Sequence, residues 1–465
     1  MFLQIFAGLL YSLSFEPVGL WFFAPVALAL QLYGVRRFSR PELQSFLFAL
    51  TSALIILNWS KTFVGVLPWI ALAFLQGLLA IPIGIVARLT SGFPPLVFTI
   101  LLMEEVRARF PFGGFSWTRI AFSQSDSPFS PLIAFTGILG LSLVTLLIAQ
   151  SLLHLRIKNS LLLLSLLAGS FLMSNPINES ASINIRAIQG GVPERGLAFN
   201  ARAQEVLDNH IKVTIEDFSR EDDLILWPEN AIDIDPTRNG EVATKIRDLS
   251  SSISRPLVAG AILDGEKLYN STILFDSEGE ISSTYLKRYL TPFGEFIPLR
   301  SIASHFSKYV DDVSDFSPGE FSVVHQIEGA KLGSVICYEL LNDGLVRQAA
   351  TESDFLVVHT NSATFSGSSE GEQQLAITRL RAIESRKSIV SISTTGPSAV
   401  INARGEVLAK LNNGEIGSLA AAIPLNQTKS VAHALGGLTV PLVLLLTLIW
   451  AILSSRYSRN ERRWR

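Results

Sequence analysis

Three short blocks of this chain hold residue types that can work together in acyl chemistry. Cys337 is the only cysteine among 465 residues, and it lies in Gly333-Ser334-Val335-Ile336-Cys337-Tyr338-Glu339. An apolar run ends there on a thiol, an aromatic ring and a carboxylate. A lone cysteine makes neither an internal disulfide nor a multi-cysteine metal site, so it is a small buried hydrophobe or a nucleophile. An ordinary thiol is only a few per cent thiolate at neutral pH, and a nucleophilic one needs a base or a cation beside it. Glu229 follows the apolar Leu224-Ile225-Leu226-Trp227 and Pro228, a place where a carboxylate can be partly buried and hold its proton more tightly. Lys287 closes the run Ile281–Lys287 and precedes Tyr289-Leu290-Thr291-Pro292-Phe293-Gly294-Glu295-Phe296-Ile297-Pro298. A carboxylate base with an ammonium partner is one route to an activated thiol.

Histidine is the commoner helper. The six here (His154, His210, His305, His325, His359 and His433) carry no papain-like or caspase-like signature. Only His359, at the end of an apolar run before Thr360-Asn361, stands where a base could. The HExxH, CxxC and P-loop patterns are absent, so neither a metal nor a nucleotide cofactor is expected. Gln189-Gly190-Gly191-Val192-Pro193 lacks the spacing and the lysine of a phosphate cradle and reads as a turn. A formal net charge of −2, with no basic stripe, leaves no nucleic-acid footprint.

The elements that must position these groups fall in two kinds of sequence. Of the 40 acidic residues, Glu16, Glu42, Glu104, Glu105 and Asp126 lie in the first 175 positions, Glu461 lies in the tail, and the remaining 34 fall between 176 and 430. Residues 1–175 therefore read as membrane with about seven spans, 176–430 as a water-facing domain with one large core, and 431–465 as a last span with a basic tail. Apolar segments lie near 2–15, 18–34, 43–59, 63–87, 92–107, 131–153, 160–174 and 434–453. The last holds no charge and matches the ~20 residues that cross a bilayer. The first two, joined by Phe15-Glu16-Pro17, could instead form a re-entrant hairpin. The first is not a cleavable signal, since it lacks a charged leading region and further spans follow.

With eight spans, Arg36, Arg37 and Arg40, then Arg88, then Arg156 and Lys158, then Arg456, Arg459, Arg462, Arg463 and Arg465 fall on one side, expected to be cytoplasmic. Lys61, Arg107, Arg109 and Arg119 fall on the other. The 176–430 domain is then extracytoplasmic, and its single cysteine rules out disulfide stapling.

From residue 183 on, short β-rich runs alternate with helical ones. Strands are expected at Ile183–Gln189, Leu224–Trp227, Pro256–Leu263, Leu268–Phe275, Ile281–Lys287, Phe321–His325, Lys331–Cys337, Phe355–His359, Ser388–Thr394 and Ser398–Asn402. Helices are expected at Phe199–Asp217, Val242–Ser252, Leu340–Ala350 and Glu372–Arg386. That order favours an α/β layered sandwich whose chemistry gathers where strands end in loops.

The blocks Trp227-Pro228-Glu229, Tyr285-Leu286-Lys287 with Pro292-Phe293-Gly294-Glu295, and Ile336-Cys337-Tyr338-Glu339 resemble the catalytic blocks of the nitrilase superfamily. More specifically, they resemble its membrane branch, the apolipoprotein N-acyltransferase family. Leu13-Ser14-Phe15-Glu16-Pro17, Phe122-Ser123-Gln124 and Arg379-Leu380-Arg381-Ala382-Ile383-Glu384 extend the resemblance along the chain. Arg195-Gly196-Leu197-Ala198-Phe199-Asn200 and Asp208-Asn209-His210 look most like actinobacterial members. The resemblance implies an αββα sandwich carried by about eight transmembrane helices in the cytoplasmic membrane. It implies Cys337 as nucleophile, Glu229 as general base, Lys287 as stabilising cation, Glu295 as the carboxylate that holds Lys287, and Tyr338 and Glu339 as residues that shape the elbow.

The implied reaction moves an acyl chain from a phospholipid donor, through a thioester on Cys337, to the amine of a diacylated lipoprotein. No cofactor is implied, and a monomer is expected. Asn361-Ser362-Ala363-Thr364-Phe365 departs from the Asn-Asp-x-Trp-Phe of many relatives, and Phe199 stands where many carry Trp, so lid and gating roles are not carried over. Two other readings remain open from the residues alone. One is a membrane-anchored amidase with water as acceptor. The other is a transporter or sensor in which Glu104, Glu105, Arg107 and Arg109 mark a polar pathway.

Overall fold

Apolar segments at both ends of the chain form helices, and the sequence between them forms sheets. The computed structural model describes residues 1–153, 157–173, 181–192, 199–304, 310 and 314–463. The chain divides into two units, Met1–Asn175 with Ser430–Arg465, and Pro176–Lys429. His154, Arg156, residues 195–198, His305 and Arg465 lie outside the described residues.

In the first unit, helices occupy Phe2–Ser12, Phe23–Arg37, Pro41–Ile56, Val66–Leu89, Pro94–Arg107, Ile133–Leu153, Ile157–Met173 and Thr439–Arg463. Among the described residues, three stretches are long and apolar enough to cross a membrane: Val66–Leu89, Ser130–Leu153 and Gly436–Ser454. The first two helices are shorter than the runs 2–15 and 18–34 suggested. Between them the chain turns, with Gly19 at φ +65° and the Leu20 N–H donating to the Leu13 carbonyl at 3.0 Å.

The charges near residue 105 pair with one another. Glu104 Oε1 accepts from the Ile120 N–H at 2.7 Å, and Arg119, 2% exposed, reaches Glu105 Oε1 at 3.2 Å. Arg107 lies 3.7 Å from Glu104, and Arg109 also pairs with Glu105. These bonds tie the end of the helix Pro94–Arg107 to the segment around 119–120, a structural use of the buried charges.

Among the described residues, the second unit holds twelve strands: β1 (Ala181–Gln189), β2 (Leu224–Leu226), β3 (Leu257–Asp264), β4 (Leu268–Phe275), β5 (Ile281–Leu286), β6 (Val324–Ile327), β7 (Ala330–Ile336), β8 (Phe355–Thr360), β9 (Ile389–Ser393), β10 (Ser398–Ile401), β11 (Val407–Leu411) and β12 (Gly417–Leu425). They form two six-stranded sheets, ordered β12-β1-β2-β3-β4-β5 and β11-β10-β9-β8-β7-β6. In each, two parallel pairings (β1/β2 and β2/β3; β7/β8 and β8/β9) are flanked by antiparallel ones.

The period-2 alternation of strands sorts the side chains into layers. Leu224 and Leu226 join Ile185, Leu332, Phe355, Val357 and Val390 in a core between the sheets. Ile225 and Trp227 point the other way, into a core with Leu207, Val213, Ile246 and Leu249 from the helices Phe199–Asp217 and Gly240–Ile253. The helices Asp343–Glu352 and Glu370–Ser385 follow β7 and β8 in the second sheet's half.

Several boundaries differ from expectation, each for a local reason. The strand expected at Ile281–Lys287 ends at Leu286, and the one expected at Lys331–Cys337 ends at Ile336, so Lys287 and Cys337 each stand one residue past a strand. The helix expected at Leu340–Ala350 begins at Asp343, because Asn342 caps it by accepting from the Gly344 and Leu345 N–H groups. A 3₁₀ turn, Cys337–Leu341, fills the gap. The strand expected at Phe321–His325 is displaced to Val324–Ile327, where it pairs antiparallel with β7. β11 and β12 were not expected as strands at all.

Gly260 on β3 is where the backbone comes closest to the Glu229 block. A Cβ there would stand 2.3 Å from the Pro228 carbonyl oxygen and 2.5 Å from Glu229 Cα. The Gly260 N–H donates to that carbonyl at 3.1 Å. Gly260→Ala must push this turn off the sheet, and overpacking of this kind costs about 1–3 kcal/mol. The thermal unfolding midpoint of the full-length protein should drop by several degrees, and an unchanged midpoint would show that the turn yields freely.

Candidate active site

The turn after β2, the first residue past β5 and the first residue past β7 bring Glu229, Lys287 and Cys337 to one buried cluster. Lys287 is 1% exposed. Its Nζ donates to Glu229 Oε1 at 3.2 Å and to Glu295 Oε1 at 2.9 Å. Asn270, a polar residue in the middle of β4, donates its Nδ2 to the same two oxygens, at 2.7 Å each. Glu295 gains one more donor, the Thr291 N–H at 2.8 Å.

These surroundings separate the two carboxylates. Burial pulls both upward. For Glu295, the Lys287 charge, Asn270 and the Thr291 N–H together outweigh burial and hold it below the usual carboxylate range. Among the described residues Glu229 has no backbone donor, and Glu295 repels it, so burial prevails and its carboxyl is raised. Lys287 is kept firmly charged: burial works against the ammonium, but the two carboxylates overcome it and raise its pKa.

Cys337 is half-buried and adopts φ +48°, the left-handed region that a non-glycine residue enters at a cost. The strand thus ends in a sharp elbow that turns the thiol away from the β7 ladder. Burial, then Glu229, push the thiol well above its ordinary value, and Lys287 pulls it down. The Gln374 amide, on the helix Glu370–Ser385, donates to Sγ at 3.8 Å.

Tyr338 and Glu339 fix this elbow. Glu339 Oε2 accepts from the Ile336 N–H at 2.9 Å, and its Oε1 accepts from the Arg288 N–H at 2.7 Å and the Tyr285 hydroxyl at 2.8 Å. One carboxylate therefore locks the cysteine turn to the segment that carries Lys287. The Tyr338 ring stacks on Tyr289, with centroids 5.3 Å apart and planes 10° apart. From the far side, buried Arg381 donates its Nε to the Leu340 carbonyl at 3.0 Å, while pairing with Asp343 and Glu384 at 2.7 Å each.

His359 is not part of this group. Its Nδ1 faces the Trp227 carbonyl at 2.9 Å and its Nε2 faces Ser334 Oγ at 3.4 Å. The carbonyl can only accept, so Nδ1 carries the proton, and burial lowers the ring to about 4. It is a neutral strut from β8 to the end of β2.

Sequence reasoning missed Asn270, Gln374 and a further buried carboxylate, Glu370. Asn270 had a signal, an amide among the apolar and hydroxyl side chains of Leu268–Phe275, a strand interior that disfavours Asn. Ser362, in the segment that departs from the resemblance, is buried, and its hydroxyl lowers the proton affinity of Glu370. Among the described residues, no group of three or more His, Cys, Asp or Glu side chains is disposed to hold a metal ion.

Comparison with known proteins bears on both units. A model of the carbon-nitrogen hydrolase family matches residues 185–433, and a model of the apolipoprotein N-acyltransferase N-terminal domain matches residues 7–151. An apolipoprotein N-acyltransferase of Mycolicibacterium smegmatis is 31% identical over 457 residues, covering 87% of this chain and 76% of the relative. One from Aquifex aeolicus is 30% identical over 449 residues, covering 89% and 96%. Among solved structures, a mutant amidase of Nesterenkonia AN1 from the nitrilase superfamily is 18% identical, with a TM-score of 0.43 over 56% of this chain and 96% of that one.

A single cysteine makes every alkylation event report on this thiol. Because Glu229 pushes the thiol up and Lys287 pulls it down, neutralising each should move it in opposite directions. In a pH series of iodoacetamide labelling followed by mass, Glu229→Gln should shift the apparent thiol titration to lower pH and Lys287→Met to higher pH. Shifts in the same direction would mean that the two charges do not act on Cys337 as assigned.

Proposed function

The chain belongs to the apolipoprotein N-acyltransferase family, within the carbon-nitrogen hydrolases, and from that premise we propose that Glu229, Lys287 and Cys337 carry out lipoprotein N-acylation. Glu229 takes the thiol proton as Cys337 Sγ attacks an ester carbonyl of a phospholipid. Lys287 and the backbone N–H that follows the nucleophile stabilise the tetrahedral oxyanion. Each such donor is worth about 3–4 kcal/mol, or a hundred- to a thousandfold in rate. Collapse breaks the ester C–O bond, Glu229 returns the proton to the leaving oxygen, and a thioester remains on Cys337. The amine of a diacylated lipoprotein then attacks the thioester, the C–S bond breaks, and an amide forms.

The observation that carries this reading is the convergence of a raised carboxylate, a charged lysine and a left-handed cysteine in one cluster. The apolar helices support the choice of lipid substrates. An acyl chain left in the bilayer keeps ~0.8 kcal/mol per methylene that extraction would forfeit. We assign eight spans to the apolar segments and place the 176–430 domain outside the cytoplasmic membrane, on the strength of the basic clusters that follow the even-numbered spans.

Full-length protein in phosphatidylethanolamine and phosphatidylglycerol vesicles with oleoyl chains should gain one oleoyl mass on the peptide bearing Cys337. Addition of a diacylglyceryl-cysteine lipopeptide should discharge it onto the peptide amine. Cys337→Ala should fall below about a thousandth of the wild-type transfer rate. Steady release of free fatty acid without transfer would point to a hydrolase instead. For orientation, protease added outside spheroplasts should cut within 176–430, and protection there would invert the assigned topology.

A further inference from the structure

The helix Glu370–Ser385 brings a carboxylate to the thiol that the Glu229, Lys287 and Cys337 set does not use. Glu370 is 4% exposed. The Ser362 hydroxyl lowers its proton affinity, against the pull of burial. Its Oε2 is buried with no hydrogen-bond partner among the described residues. Gln374 lies four residues on, hence on the same helix face, and donates to Cys337 Sγ at 3.8 Å. That face looks onto the nucleophile, and the charge of Glu370 acts on the Cys337 thiol as that of Glu229 acts on Glu370.

A first-turn acid ordinarily sits in water, where the helix dipole favours its charge. This one is desolvated, and no basic side chain pairs with it among the described residues. A buried acceptor left unmatched is costly unless something satisfies it. A ligand that brings positive charge and N–H donors would do so, and the second substrate of an N-acyl transfer arrives as an ammonium, since an α-amine titrates near 8.

Resting on the acyl-transfer reading above, we propose that Glu370 is a catalytic carboxylate of the second half-reaction, which receives the acceptor's α-ammonium beside Cys337 and removes its first proton. The steps balance. The ammonium gives one proton to the Glu370 carboxylate and becomes a neutral amine. Its nitrogen attacks the thioester carbonyl carbon, forming the C–N bond. The nitrogen then gives a second proton to Glu229, the C–S bond breaks, and Glu229 passes that proton to the departing Cys337 sulfur. Glu370 releases the first proton to solvent. Burial, eased by Ser362 and reinforced by Glu229, sets Glu370 at about 7, close to an ordinary α-amine, so this transfer runs with little uphill cost. The charged groups facing the reaction are Glu229, Lys287, Glu295, Glu370 and the Cys337 sulfur itself.

The test separates the half-reactions in the full-length protein. Wild type and Glu370→Gln are loaded from the same oleoyl phospholipid vesicles, then discharged with a diacylglyceryl-cysteine lipopeptide or with hydroxylamine, which is neutral at pH 7 and needs no proton removed before it attacks. Glu370→Gln should transfer to the lipopeptide about 100-fold more slowly, while loading and hydroxylamine discharge change less than about threefold. Glu370→Asp, which keeps the carboxylate, should recover part of the loss. Unchanged lipopeptide transfer would overturn the proposal, and so would equal losses in loading, transfer and hydroxylamine discharge, which would mark a merely structural role. A wild-type protein that never forms acyl-Cys337 would sink the acyl-transfer reading and this proposal with it.

Discussion

Everything at the site depends on one buried ammonium held between two carboxylates. Lys287 has left water almost completely, a transfer that costs several kcal/mol per ion. At about 3 Å and an effective dielectric near 20, each carboxylate attracts it by roughly 5 kcal/mol, so one partner does little more than offset the penalty. With two partners the lysine stays charged, but two carboxylates then share one cation. Their second neighbours break the tie: Glu295 takes the Thr291 N–H, and Glu229 has no equivalent. The result is a fixed counterion and a carboxylate with an appetite for a proton. Two acids whose surroundings drive them apart are a general signature of divided labour in catalysis.

The sheets exist, functionally, to hold that triplet still. Glu229, Lys287 and Cys337 hang from β2, β5 and β7, and β2 and β7 belong to different sheets. Their registry therefore rests on contacts across the sandwich. The inner core of Leu224, Leu226, Leu332, Phe355 and Val357 supplies most of it. Two polar struts add direction: His359 reaches the Trp227 carbonyl, and Glu339 joins the cysteine elbow to the Arg288 and Tyr285 segment. An acid that sequence position marks only as the residue two after Cys337 is thus the clamp between the cysteine elbow and the segment that carries Lys287.

How much of this was legible depended on whether the signal was local. Leu268–Phe275 and Phe199–Asp217 were read to the residue, because alternation and helical periodicity are contained in the segments themselves. β12 was missed because Ala420-Ala421-Ala422 and Pro424 have weak strand preference, and its nine-residue pairing with β1 is a long-range fact. β11 was missed because three of its five residues are exposed and the strand pairs with β10 alone. The three blocks that meet in the cluster were legible through residue types at strand ends. Asn270 left only the weak signal of an amide inside a strand, and Glu370 left none, since an isolated Glu means nothing until the fold puts it beside another charge.

The raised thiol looks at first like a defect in a nucleophile. Burial and Glu229 both disfavour the thiolate, and Lys287 only partly compensates. A free thiolate would, however, be a standing hazard, open to oxidation and to premature attack. A neutral thiol beside a carboxylate of raised proton affinity stores the same reactivity in a safer form. In the reaction proposed above, the proton moves to Glu229 only as sulfur bonds to carbon, and the charge that develops passes to the oxyanion that Lys287 is proposed to stabilise. Brønsted logic favours this pairing, because a base works best when its affinity approaches that of the group it deprotonates. The same argument explains why the lysine must keep its charge throughout. If Lys287 were to neutralise, both carboxylates would rise, and the site would lose the proposed base and oxyanion partner together.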